Sequence, residues 1–266
     1  VGAKGEDAKL FLTQYIAFTE KLQEALVMAN LQVEVEHIVY NAGLSWEMLE
    51  RKGHQVSSAN VLYAYWGRDY SQNFTSQIDQ RAWDSLLDWR SATDKQVTVF
   101  EYYSDHFMLS ELFPLLFNRL AMDTERYKEI GCNGMVNLVV PLHKVAKAQP
   151  HMEHYDYQQY QQLNNIVFAR SLWEGVETVP HLLSPAMKQL SKKIEELFAQ
   201  NSQYNAIFFP NRVVEAKNPE WKSEVLELLN EMEQLLQQEQ IEEPLQQYVE
   251  ALQQVVNATK LRWEAL

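Results

Sequence analysis

The chain of 266 residues has one cysteine, Cys132, which excludes an internal disulfide and a cysteine-based metal cluster. Cys132 follows Gly131 and leads into an apolar run, so a small buried residue is expected there and not a thiol nucleophile. A reducing compartment fits this usage. No apolar run approaches the roughly 18 residues that a membrane helix needs, and no secretory leader is read. A cytoplasmic protein with no membrane partner is therefore expected. The first residue is Val1, with a helical pattern almost at once, so the chain reads as a piece of a longer protein. Basic residues are outnumbered, 23 against 36 acidic, for a net charge of −13. That balance argues against a nucleic-acid partner, because phosphate binding needs a basic face. Nucleotide-binding glycine patterns and the P-loop are missing, as is the G-x-S-x-G elbow of serine hydrolases. His151 and His154, with Glu153 and Asp156 nearby, have the spacing of one helix face but no third firm ligand. No cofactor and no metal are expected.

What is present is ample for a core: 46% hydrophobic and 12% aromatic residues. Leu10, Phe11, Tyr15, Phe18, Leu22, Leu26 and Val27 recur mostly at three and four, which predicts a helix over 6–30. The stretch 31–41 predicts a strand with Val33, Val35, His37, Val39 and Asn41 on one face. His37 there reads as a buried, hydrogen-bonded histidine. A second strand is expected over 60–67, continuous and aromatic as if covered on both faces, then a helix over 76–91 and a third strand over 96–103. A helix follows over 110–130, with Ser110 as N-cap, Pro114 in its first turn and Gly131 as its stop. A fourth strand is expected over 133–140 and a helix over 155–175.

This alternation argues for a mostly parallel sheet with helical crossovers over 1–178. After Val179 no convincing strand extends it. Trp221, Val225, Leu228, Met232 and Leu235 repeat at helical spacing, and so do Leu245, Tyr248, Val249, Leu252 and Val255. These predict two antiparallel helices in a C-terminal helical region over 179–266. The fold class is thus α/β: a partial (β/α) barrel or a small parallel sheet, followed by helices. A barrel needs eight strands, so four would be a small open sheet, part of a barrel, or one of two copies that cover each other's edges.

In parallel α/β folds, chemistry gathers at the carboxyl ends of the strands. Glu101 lies near the end of the third strand, on a face with Val97, Val99 and Tyr103. A carboxylate there is costly to bury unless paired or solvated, so it is either a catalytic group or the partner of an arginine. Asp105 and His106 follow in the loop, and Asp105 is the candidate second carboxylate that glycoside hydrolysis requires. Trp66, Arg68 and Asp69 end the second strand; a ring beside a charged pair suits sugar recognition. Arg68 could instead pair with Asp69 or with Glu101. Tyr103 and Asn41 complete the expected mouth, and Trp173 is expected to pack.

Over 100–142 the chain resembles a bacterial family of uncharacterised, glycoside-hydrolase-like barrel proteins with a domain of unknown function, sometimes compared with α-glucuronidases. The residues behind this are Glu101-Tyr102-Tyr103-Ser104-Asp105, then Asp123 with Tyr127-Lys128, then Gly131 and Gly134. The flanking runs 63–70 and 164–173 stand at matching distances, so the resemblance covers 6–200. It implies a carbohydrate-related barrel and names no substrate. In that family further strands lie upstream, and residues on them have no counterpart here. The expectation is a protein that binds, and as an enzyme would hydrolyse, an oligosaccharide, with Glu101 and Asp105 catalytic and Trp66, Arg68, Asp69, Tyr103, His106 and Asn41 binding substrate. The alternative is a non-catalytic carbohydrate-binding or protein-interaction module whose strand-end residues form a structural network. A purely structural helical adaptor is a third reading. Expected partners are a carbohydrate ligand and either a second copy of the chain or a missing N-terminal half of the same protein.

Overall fold

A computed structural model describes residues 6–40, 49–51, 58–65, 68, 70, 74, 79–104, 116–139, 157–175, 177, 185, 188–189, 191–193, 195–196 and 219–238, and ten or so positions between 246 and 264. The chain forms an α/β fold: a four-stranded parallel sheet with helical crossovers, and further helices later in the chain. The elements are α1 (Glu6–Met28), β1 (Glu36–Val39), β2 (Asn60–Ala64), α2 (Gln80–Ala92), β3 (Val97–Ser104), α3 (Phe117–Glu129), β4 (Gly134–Val139), α4 (Tyr157–Glu174) and α5 (Pro219–Gln238). Helical residues recur between 246 and 261. The strands stand in chain order, β1-β2-β3-β4. Glu36 faces Asn60 and Val61 faces Val97 in the parallel register. Among the described strands the order does not reverse, so they form no switch point of the doubly wound kind.

Two compact units divide the chain: 1–102 with 126–137, and 103–125 with 138–266. In the first unit, alternation along the strands decides which side chains meet helices. Val39, Val61, Tyr63, Tyr65, Val97 and Val99 form a core with Trp83, Leu86 and Trp89 of α2 and Tyr127 of α3. The intervening residues lie on the other face. There Ile38 and Val136 are 48% and 42% exposed, and Leu62, Thr98 and Phe100 are half-buried. On this second face of β2 Leu62 is half-buried and Ala64 is buried, so it is covered too, less tightly than the face of Val61 and Tyr63.

Helix ends have local causes. At the end of α1, Asn30 takes φ 59°, Asn30 N–H donates to Val27 O and Leu31 N–H to Leu26 O. At the end of α3, Gly131 takes φ 81°, with Gly131 N–H to Lys128 O and Cys132 N–H to Tyr127 O. Both are Schellman closures, and the second is the expected Gly131 stop. The first strand is shorter than expected, because the Gln23 side chain of α1 takes part of its backbone. Its amide nitrogen donates to Val33 O at 3.1 Å, and its oxygen accepts from Val35 N–H at 2.7 Å.

In the second unit, α3 begins at Phe117 and not at 110. Its first N–H groups are met from distant chain: Leu116 N–H by Asn164 Oδ1 at 3.0 Å, and Asn118 and Arg119 N–H by Glu195 Oε1 at 3.1 and 3.2 Å. Helix starts need such acceptors. The expected cap Ser110 and Pro114 lie outside the described residues, as do His151 and His154. On α5 the buried stripe runs through Leu228, Leu229, Met232 and Leu236, leaving Leu235 half-buried. Among the described residues no helix is long and apolar enough to cross a membrane.

Candidate functional site

Glu101 stands at the fifth position of β3, in phase with Val97 and Val99. That phase turns it toward the helices that cover the sheet, where it is 0% exposed. Arg68 Nη1 donates to its Oε1 at 2.9 Å, and the hydroxyl of Tyr127 donates to the same oxygen. The Tyr70 hydroxyl donates to Oε2 at 2.5 Å and accepts the Tyr102 N–H at 3.0 Å. Arg68 is also fully buried. Its guanidinium carbon sits 3.8 Å from the Phe74 ring centre and 5.1 Å from that of Tyr70. Two opposite charges out of water hold best when hydrogen bonds complete their valences, and on the Glu101 side both oxygens have donors. The π faces of Phe74 and Tyr70 add attraction for the cation. Burial holds the Tyr65 phenol well above its ordinary range, against the pull of the nearby Arg68 charge.

Of the two carboxylates that sequence placed near Arg68, the fold brings Glu101 to it. Tyr103, two residues further along the same strand face, is buried and donates to Asp123 Oδ2 at 2.9 Å within the second unit. Trp66, Asp69, Asp105, His106 and Asn41 lie outside the described residues. Sequence reasoning did not assign Tyr70, Phe74 or Tyr127 to this node. Tyr127 stood in the quoted Asp123–Tyr127 spacing, and that spacing was the available signal. One strand step of two residues rises about 6.6 Å. Four helical residues rise about 6 Å. An i, i+2 pair on β3 therefore matches an i, i+4 pair on α3: Glu101 meets Tyr127, and Tyr103 meets Asp123.

Other candidates resolve differently. Trp173, expected to pack, is 88% exposed on α4. His37 is buried as expected, yet neither ring nitrogen has a hydrogen-bond partner among the described residues. Burial pushes the Cys132 thiol up to about 11, with the Arg90 charge pulling the other way, so it is protonated near neutral pH. An open cleft of about 270 Å3 lies at the amino ends of the strands, lined by Gln23, Glu34, Asn60 and Lys95 among others. Asn60 there donates to Glu34 at 2.8 Å, and Gln23 is spent on backbone. No group of three or more metal-ligating side chains occurs among the described residues.

As it stands, the Glu101 node is a sealed ion pair. A glycosidase acid or nucleophile must touch the glycosidic oxygen or the anomeric carbon. Glu101 instead has both oxygens occupied by protein donors and no exposed surface. Comparison of the chain with protein-family models, with curated proteins and with solved structures finds no match.

Proposed function

We propose that this chain is part of a carbohydrate-related (β/α) barrel and acts as a non-catalytic binding module, with the Glu101–Arg68 node serving as a structural clamp. The burial of Glu101, with both oxygens bonded, carries the non-catalytic part. The barrel part is supported by the monotonic strand order and by the half-exposed apolar Ile38, Leu62 and Val136 on the face opposite the α2-packed core, the face that would line a closed barrel. The carbohydrate part rests on the resemblance over 100–142 and on one exposed ring. Trp173 offers an open indole face, which suits stacking on the apolar face of a sugar. Partners for the outer edge of β1 and for the exposed Phe11, Phe18 and Leu22 of α1 would be further strands of the same barrel or a second copy.

The test is titration of the chain with xylo-oligosaccharides, glucuronides and a panel of aryl glycosides, reading calorimetric binding and released aglycone. Saturable binding without turnover, lost in Trp173→Ala and retained in a folded Glu101→Gln, is the expected result. A hydrolase reading is favoured by the place of Glu101 in the carboxyl-terminal half of a central strand. Turnover that Glu101→Gln abolishes while the fold persists would establish that reading and overturn the module. Absence of any sugar binding would remove carbohydrate from the proposal.

A further inference from the structure

His37 is the second residue of β1 and is fully buried on the helix-covered face, beside Val39. Its ring lies between Tyr15 of α1, at 4.7 Å between ring centres, and Trp89 of α2, at 5.4 Å. Neither nitrogen meets a hydrogen-bond partner among the described residues. A neutral imidazole in that slot leaves its polar atoms unmet, and a charged one would be a buried cation without a counterion, which is far less favourable.

Among the described residues, the groups facing the ring offer no charge to offset that cost. From α1 comes the Tyr15 ring, and nearby Thr19 spends its hydroxyl on Ile16 O at 2.8 Å. From β2 comes Val61 in register, with Tyr63 beyond it donating to Ala82 O. From α2 comes Trp89, whose N–H goes to Leu49 O at 2.7 Å. The charged neighbours of Trp89 are turned elsewhere: Asp88 binds Arg51, and Arg90 binds the carbonyls of Gly131 and Thr93. The His37 pKa falls to about 4, and burial is the whole cause.

The two walls of the slot are held unequally. The α2 wall is tied by Trp89 and Ser85 to Leu49 O and by Asp88 to Arg51. Among the described side chains of α1 the buried ones are Leu12, Ile16 and Thr19, and the Gln23 amide adds its backbone bridge. Its Leu10, Phe11, Phe18, Leu22, Val27 and Met28 stand exposed. Local opening takes the least-anchored element first.

We infer that His37 is an acid-operated latch: protonation of its buried imidazole releases α1 from the sheet while β2, β3 and α2 keep their packing. Above the ordinary histidine pKa of 6.5 the neutral ring holds α1 down. Between 6.5 and about 4 the released state binds a proton that the docked state refuses, so opening is favoured toward tenfold per pH unit.

Hydrogen exchange of the full chain, corrected for the intrinsic pH dependence of exchange, reads this directly. Amides of 6–28 should open about 30-fold more at pH 5 than at pH 7.5, with those of β3 unchanged. His37→Phe keeps a ring without a titrating group and should flatten the response. NMR titration of the His37 ring in the wild-type chain covers the case in which that variant fails to fold. A midpoint well below 6.5 supports the latch, and a midpoint near 6.5 overturns it. Flat protection of α1, simultaneous loss of α1 and β3, or an unchanged acid response in His37→Phe would also overturn it.

Discussion

Tyr127 of α3 donates its hydroxyl to the same Glu101 oxygen that receives Arg68 Nη1. One helix turn thus meets a strand carboxylate that is already ion-paired. Tyr127→Phe removes the charge-assisted bond to Glu101 and keeps the ring in the core beside Phe74 and Trp83. A loss of about 1.5–3 kcal/mol is expected in urea unfolding. Tyr70→Phe should cost more, because it also takes away the acceptor of the Tyr102 N–H. A Tyr127→Phe chain as stable as wild type would show that the hydroxyl contributes nothing.

Removing one member of the buried pair strands the other. Glu101→Gln takes the carboxylate charge from the Arg68 pair and should destabilise by about 3–5 kcal/mol. The double change Glu101→Leu with Arg68→Met takes out both charges and should be more stable than Glu101→Gln alone, since an apolar pair needs no solvation. A double mutant as unstable as the sum of the singles would mean that the two residues are not coupled.

Glu195 couples the start of α3 to pH. Burial pushes it up to about 7, against the pull of the Arg119 and Asn118 donors. Between its ordinary 4.5 and about 7, the folded chain keeps a proton that the unfolded chain has lost. Stability from this group is therefore full at low pH and declines as pH rises through that window. Glu195→Gln keeps an oxygen for the two N–H groups without a charge, so it should remove that slope and exceed wild type above pH 7. Glu195→Ala should also remove the slope and lie about 1 kcal/mol below Glu195→Gln at every pH, as for other lost caps. Urea midpoints at pH 5, 6, 7 and 8 decide it; a constant difference between wild type and Glu195→Gln would refute burial as the cause.

Gly131→Ala places a Cβ on a residue with φ +81°, 3.2 Å from Arg90 Nε. That nitrogen donates to the Gly131 carbonyl at 2.8 Å, so the new atom strains the turn and presses on its brace. A loss of about 1–2 kcal/mol is expected from the left-handed backbone alone. Thermal unfolding of the variant checks it, and an unchanged midpoint would mean the turn relaxes.

The parts of the fold that were legible in sequence are those with local causes. The apolar alternation of β3 and the Gly131 stop of α3 involve residues within a few positions of each other, and both are present. The expected start of α3 at 110 was not met, because the acceptors of its first N–H groups come from Asn164 and Glu195, 48 and 77 positions away. The strand expected over 31–41 shortened to Glu36–Val39, because a helix side chain, Gln23, took part of its backbone pairing. Trp173 had an aromatic's prior for burial, but its position on α4 points it to solvent.

Period and composition alone established an acidic α/β chain without disulfides, with Glu101 in phase with Val97 and Val99. Alternation says which residues share a face; it does not say what lies against that face. The fate of Glu101 depended on partners 26, 31 and 33 positions away, Tyr127, Tyr70 and Arg68. Only the packing of α2 and α3 on that side of the sheet turned a candidate catalytic carboxylate into a buried ion pair. The physical reason is that desolvation and counter-charge are set by the whole neighbourhood, and a local pattern carries neither.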